Sequence, residues 1–293
     1  MSDARLDNLA AAYRRDGFIA VERLLQPEEV EDLKAEAFDI VTGRRGAIRG
    51  ARAQGERTPD EVHADVLAIH FPHKVSQPMR AAMRHPAVVE ILTALIGPNV
   101  KAMQTIMFGK APGMPGQAWH QDEHFIPTRD RSLCGVWIAL DDATVQNGCL
   151  WFHPGSQRSG VLWRMGPHAD PRFDASEEAH DHPFDREGGV PVELAAGGAA
   201  FFNGYVLHRS LPNRAAAGFR RALITHYMSA ESLLPWSLGL PPVPRTDFRD
   251  IEMVAGRDPY AWKGLTDDSR PFVRPVDTAT GPPAPHPNPG DPS

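Results

Sequence analysis

The chain is poor in the features of a secreted, membrane or nucleic-acid-binding protein. Only two cysteines, Cys134 and Cys149, occur in 293 residues, too few to staple a chain this long. No CxxC pair is present, so a structural zinc site is not expected. Basic residues do not dominate: 31 Lys and Arg stand against 37 Asp and Glu, a formal net charge of −6, which argues against a phosphate-binding stripe. Apolar runs such as Val88 to Ile96 fall far short of a bilayer span. The N-terminal MSDARLDNL has no apolar core of a signal peptide. HExxH and internal repeats are also lacking. What remains is the expectation of a soluble, reduced, cytoplasmic protein, with no nucleic acid and no membrane as partner. Monomer and homodimer both stay open.

The first third of the chain reads as helical. Residues 5–15 carry helical spacing up to Gly17, and GFIAVERLL follows as a strand. Pro27-Glu28-Glu29 opens a helix through Ile40, with proline early and acids in the first turn. Thr58 and Glu61 form a capping-box pattern, and two helical stretches span 77–97. From Val100 the texture changes to short runs rich in branched and aromatic residues, separated by Pro-Gly, Asn-Gly and Gly-Gly turns. That alternation predicts a mainly β fold with flanking helices, an antiparallel sandwich or jelly-roll barrel. The Gly- and Arg-rich segment 43–57 and the polar stretch 164–189 read as mobile loops able to act as lids. The Pro-rich end, 274–293, reads as a disordered tail. The expected organisation is one domain over 1–273: a helical part to about 98, a β core over about 99–230, and an extension over 231–273.

Within the β region stands AWHQDEHF, residues 118–125. Three His-x-Asp triplets occur in the chain, so the pattern alone says little. His63-Ala64-Asp65 lies in a predicted helix, where residues two apart diverge. His168-Ala169-Asp170 lies between prolines in a polar loop. Only His120-Gln121-Asp122 follows a strand, where alternate residues project to one face. Two histidines and one carboxylate on one side of Fe(II) leave the opposite positions open for cosubstrate and oxygen. His153, His208 and His226 are candidates for the third ligand. His208, at the end of AAFFNGYVL with an Arg-bearing strand after it, is favoured. His226 shares a strand face with Arg220 and reads as a pocket residue or a hydrogen-bonded core histidine.

The blocks WHQDEHF, GVWIALDDATVQNGCLWFHPGSQRSG and LHRSLPNRAAAGFRRALITHYM, with DGFIAVERLLQPEEVEDL before them, resemble the phytanoyl-CoA dioxygenase family over roughly residues 10–230. The resemblance implies a double-stranded β-helix, cupin-like core. It implies Fe(II) and the cosubstrates 2-oxoglutarate and O2, with hydroxylation of an unactivated C–H and release of succinate and CO2. By position it places the iron ligands on His120, Asp122 and His208, and the 2-oxoglutarate arginine on Arg220, twelve residues after His208. A guanidinium fork suits a carboxylate through two parallel hydrogen bonds. Arg221, on the opposite strand face, is the competitor. Ser210, Gln104 and Trp137 match further cosubstrate-contacting or pocket-lining positions. Asp122 also fills the position that halogenating relatives leave small, which favours oxygenation over chlorination.

For the substrate, the sequence offers only candidates. These are His124, His70 and Lys74 near the expected barrel mouth, His226, and the arginines Arg44, Arg45, Arg49, Arg52 and Arg57. The substrate class expected is a natural-product or lipid-like metabolite, with no obligatory CoA. Two rivals remain: a metal-dependent hydrolase using the same ligands, which leaves Arg220 without a task, and a non-catalytic small-molecule-binding member of the fold.

Overall fold

The computed structural model describes residues 1–53, 55–128, 130–174, 177–232, 252–264 and 269–276. Helix α1 (Asp3–Asp16) stops at Gly17, whose φ of 86° reverses the chain into strand β1 (Phe18–Val21). Helix α2 (Pro27–Val41) begins with a capping box in which Glu29 accepts from the Gln26 N–H at 2.8 Å. The Thr58–Glu61 box opens the short α3 (Pro59–His63), and β2 (Val66–His70) follows. Helices α4 (Gln77–Met83) and α5 (Pro86–Ile96) complete this part.

The β region then runs through β3 (Val100–Phe108), β4 (Gln117–His120), the one-turn α6 (Asp122–Phe125), β5 (Cys134–Ala139) and β6 (Leu150–Phe152). It continues through β7 (Arg164–Gly166), β8 (Glu178–His180), β9 (Val190–Val192), β10 (Ala199–Asn203), β11 (His208–Ser210) and β12 (Ala222–Ser229). Two late strands, β13 (Glu252–Ala255) and β14 (Phe272–Pro275), join the same fold. The large sheet has the order β1-β10-β5-β12-β3-β2-β14, with β13 also on β3. A smaller sheet has the order β4-β11-β6-β9, and β7-β8 form a separate ribbon.

Period-two alternation explains the long apolar runs. Val136, Ile138, Phe201, Leu223 and Tyr227 turn to the helices and share a core with Leu33, Ile40, Met79 and Leu92. Their neighbours Trp137, Phe202, Ala222 and Ile224 turn the other way and pack on Leu150, Phe152 and Val192 of the small sheet. The large sheet is therefore buried on both faces, so its strands need no polar alternation. The Tyr227 hydroxyl donates to the Met83 carbonyl at 2.8 Å and ties the central strand to the end of α4. The mainly β, cupin-like architecture agrees with expectation.

Four expectations need correction. The N-terminal part holds a strand beyond the expected one at Phe18–Val21: β2 pairs with β3, and with β1 on β10 this part supplies two strands of the large sheet. The disordered tail expected over 274–293 does not hold for its first residues, because Arg274 and Pro275 belong to β14, paired with β2; 277–293 lie outside the described residues. Segment 43–57 is not a free array of arginines. Arg45 pairs with Glu36, Arg44 with Asp39 and Arg57 with Asp65, while Arg49 lies 4.7 Å from the Phe272 ring centroid. Nor is 164–189 a plain loop. It carries the β7-β8 ribbon, and its later part is pinned by Trp119 Nε1, which donates to Arg186 O at 2.8 Å, and by Arg209, which donates to the carbonyls of residues 186–188.

Candidate metal centre

His120 closes β4 and His208 opens β11, so His208 begins a short new strand rather than ending a long one. The two are direct antiparallel partners, which sets their rings side by side with centroids 4.0 Å apart. The strands can approach this closely because Gly116 has no side chain: a Cβ there would lie 2.0 Å from the Ser210 carbonyl. Gln121 keeps the chain extended, φ −128° and ψ 123°, so Asp122 projects beside His120 before α6 begins. The Gln121 side chain is locked, donating to Val161 O and Tyr205 O and accepting from the Trp163 N–H.

Asp122 Oδ1 lies 3.6 Å from His120 Nε2 and 3.5 Å from His208 Nε2. One ligand atom from each residue falls within 4.8 Å of the others, and all three residues are buried. Each imidazole turns Nδ1 to a main-chain carbonyl, His120 to Ala118 at 2.8 Å and His208 to Val206 at 3.1 Å. That fixes the tautomer and leaves both Nε2 lone pairs facing inward. Burial pushes the His120 imidazole down to about 4, and burial lowers His208 too, so both are neutral near pH 7. Burial alone would raise the Asp122 carboxyl, but the His208, His226 and His120 imidazoles outweigh it and hold it below the usual range. Neutral imidazoles beside an ionised carboxylate are the donor set that a divalent transition metal needs.

His226 serves this centre from across the barrel. Its Nε2 lies 2.9 Å from Asp122 Oδ2, and its Nδ1 faces the Gln104 side-chain amide nitrogen at 3.3 Å. Since the amide nitrogen only donates, Nδ1 accepts and the proton sits on Nε2, directed at Asp122. Both nitrogens of His226 are thus engaged within the protein. Gln104 and His226 meet because they are register partners of β3 and β12.

Arg220 is buried, and no carboxylate pairs with it among the described residues; its Nε has no partner. The guanidinium carbon lies 5.4 Å from the Trp137 ring centroid. Burial lowers Arg220 to about 10. Its neighbour Arg221 points to the other face and is fully engaged, with Nε donating to Asp141 Oδ2 at 2.7 Å and Nη2 to Oδ1 at 2.8 Å. Ser210 Oγ accepts from Lys110 Nζ at 2.9 Å and from the Gln117 N–H at 3.3 Å.

The remaining candidates are held elsewhere. His124 is exposed and meets Phe125 edge-on. His70 stacks on Phe272 at 4.3 Å, and Lys74 donates to Ser269 O at 2.7 Å, so both are engaged with the C-terminal segment. Three residues escaped sequence reasoning. Lys110 and Gln121 are buried, and Glu123 is buried with Thr128 donating to it, its carboxyl pushed up to about 7 by that burial. Only the position of Gln121 between two candidate ligands, and of Lys110 in a Gly-Lys-Ala-Pro-Gly turn, could have marked them.

Two facing antiparallel sheets with a buried His-Asp-His set at one end of the small sheet define a jelly-roll protein with a facial metal centre. The chain belongs to the phytanoyl-CoA dioxygenase family, whose profile matches residues 13–222. By class it is a non-haem iron, 2-oxoglutarate-dependent enzyme. Phytanoyl-CoA dioxygenase domain-containing protein 1 of Danio rerio is 28% identical over 275 residues, covering 80% of this chain and 94% of that one. Phytanoyl-CoA dioxygenase 1 of Oryza sativa subsp. japonica is 36% identical over 139 residues, and that alignment spans only 46% of this chain and 47% of the rice protein. Among solved structures, the non-heme monooxygenase ThoJ superposes with a TM-score of 0.67 at 21% identity, covering 89% of this chain and 88% of that one. The epimerase SnoN, solved with Fe3+, alpha-ketoglutarate and nogalamycin RO, gives 0.63 at 24%, covering 82% and 89%. These two likenesses are of fold. Among the described residues no helix is long and apolar enough to cross a membrane.

Proposed function

We propose that the chain is an Fe(II)- and 2-oxoglutarate-dependent dioxygenase that hydroxylates an unactivated C–H of a small-molecule metabolite, natural-product or lipid-like in kind. The observation that carries this reading is the pairing of a buried His-Asp-His set with a buried guanidinium that has no carboxylate partner among the described residues. His120, Asp122 and His208 would hold the iron. Arg220 would take the distal carboxylate of 2-oxoglutarate, with Ser210 beside it and Trp137 against the guanidinium. When bound, iron and 2-oxoglutarate together supply the oxidation: 2-oxoglutarate, O2 and R–H give succinate, CO2 and R–OH.

The protein's own part is to prepare both ends of that arrangement. His226, with Gln104 behind it, orients Asp122 through the carboxylate oxygen that faces away from His120 and His208. Main-chain carbonyls at Ala118 and Val206 aim the imidazoles. Phe152 and Phe202 pack against His208, ring centroids 5.8 and 4.7 Å away, and keep water from that flank. The metabolite class is supported by two fold neighbours from nogalamycin biosynthesis, the epimerase SnoN and the carbocyclase SnoK. The hydrolase alternative leaves the buried Arg220, which has no carboxylate partner among the described residues, without a purpose. Succinate production from 2-oxoglutarate by the Fe(II)-supplied protein tests the reading, since slow uncoupled turnover needs no substrate. Continued absence of succinate across a metabolite panel would overturn it.

A further inference from the structure

Lys110 has no place in the site as read from sequence, yet it lies at the centre of the cation end. It follows β3, and it exchanges both main-chain hydrogen bonds with Arg220: Lys110 N–H to Arg220 O at 3.2 Å, and Arg220 N–H to Lys110 O at 3.0 Å. Residues paired this way project to the same side of a sheet, so the two cations are neighbours. Lys110 is buried, and its ammonium donates to Ser210 Oγ at 2.9 Å and to Leu211 O at 2.7 Å. The lysine stem has a dedicated cradle. Gly148 adopts φ +86°, and a Cβ there would lie 3.2 Å from Lys110 Cδ and Nζ and 2.3 Å from Leu211 O.

The consequence lies in the serine. A hydroxyl has two acceptor positions and one proton. Both acceptor positions of Ser210 are taken, by Lys110 Nζ and by the Gln117 N–H at 3.3 Å. Neither of those groups, nor the Arg220 guanidinium, can accept a hydrogen bond. The Ser210 proton must therefore turn to a third, acceptor group. Three donors meet here, and no ion pair to Lys110 or Arg220 is present among the described residues. An anion with several acceptor oxygens matches this arrangement. Resting on the functional reading above, we propose that Lys110 is a positioning residue that makes Ser210 an obligate donor to the distal carboxylate of 2-oxoglutarate. Lys110 thereby sets the selectivity for a dicarboxylic over a monocarboxylic 2-oxo acid.

The test uses calorimetry on Mn(II)-loaded protein without turnover, titrating 2-oxoglutarate and 2-oxopentanoate, which has the same chain length without the distal carboxylate. Lys110→Met should weaken 2-oxoglutarate about tenfold and leave 2-oxopentanoate unchanged, the size expected when a charge-supported hydrogen bond is lost. Ser210→Ala should show the same discrimination. The double variant should be no weaker than the weaker single variant, because the two residues act through one contact. Lys110→Gln serves if the methionine variant does not fold. Wild-type affinity for 2-oxoglutarate in Lys110→Met, equal loss of both ligands, or additive losses in the double variant would each overturn the proposal while leaving the functional reading intact. Failure of the wild-type protein to bind 2-oxoglutarate would overturn both.

Discussion

The two faces of strand β12 and the residues leading into it carry the same kinds of side chain in opposite states. On the face toward the helices, the arginine and the tyrosine find their partners within the protein. Arg221 is clamped by Asp141 and faces His63 Nδ1 at 3.2 Å, and the Tyr227 hydroxyl reaches Met83. On the face toward the small sheet, Arg220 has no carboxylate partner among the described residues, and His226 passes its hydrogen bond to an aspartate that two further imidazoles approach. The arginine on one face is clamped by an acid; its neighbour on the other has no carboxylate partner among the described residues. A buried group left without a partner costs about 1–3 kcal/mol, more when charged, so such a face marks a site rather than a core.

The largest effect that would break this contrast comes from the ligands. His208→Ala should abolish stoichiometric Fe(II) binding, measured anaerobically by equilibrium dialysis. If the variant binds iron as the wild type does and His226→Ala does not, the third ligand is His226. Next come the adjacent arginines, which should behave as opposites. Arg220→Ala should weaken 2-oxoglutarate by about a hundredfold, as loss of a bidentate charged contact implies, with little loss of stability. Arg221→Ala should leave that affinity within about threefold and cost about 2 kcal/mol of folding stability, because Asp141 loses the guanidinium and keeps only the residue 221 N–H and the more distant Lys34. Calorimetric titration and urea unfolding of both variants read this directly, and equal behaviour would erase the contrast between the faces. His226→Ala should weaken metal binding by about 10–100-fold without abolishing it, as expected for a residue that orients a ligand. Metal competition assays measure this, and unchanged affinity would reduce His226 to packing.

The last effect lies outside the inner face. Burial lowers both His63 and His73 from 6.5 to about 4. Between those values the unfolded chain takes up protons that the native chain does not. Stability is therefore full above pH 6.5 and falls as pH drops toward 4. Each imidazole should contribute a loss of about 2 kcal/mol by pH 5. Urea midpoints of the metal-free protein at pH 7 and pH 5 check this, and His73→Gln should flatten part of the slope. A pH-independent midpoint would mean that these imidazoles are not buried in neutral form.

Much of the fold was legible because burial on both faces writes itself into long branched and aromatic runs, as in β3, β5 and β12. The His-x-Asp was legible because an extended Gln121 puts both side chains on one side. Strand β2 was not, since HADVLAIHF is short and follows a capped turn that reads as helix. Strands β13 and β14 were not, since they pair with partners about 150 to 200 residues earlier. Lys110 escaped because a lysine in a Gly-Pro turn ordinarily faces water, and only tertiary closure buries it beside Ser210. The role of His226 escaped for a similar reason: its strand parity placed it in the pocket, but the contact with Asp122 spans 104 residues of chain.

The most direct test of the central claim is a crystal structure of the protein with Mn(II) and 2-oxoglutarate under anaerobic conditions. The assignment predicts one metal bonded to His120, Asp122 and His208, at about 2.0–2.3 Å, with the distal carboxylate of 2-oxoglutarate on Arg220. A metal bound elsewhere, or a carboxylate seated away from Arg220, would contradict it.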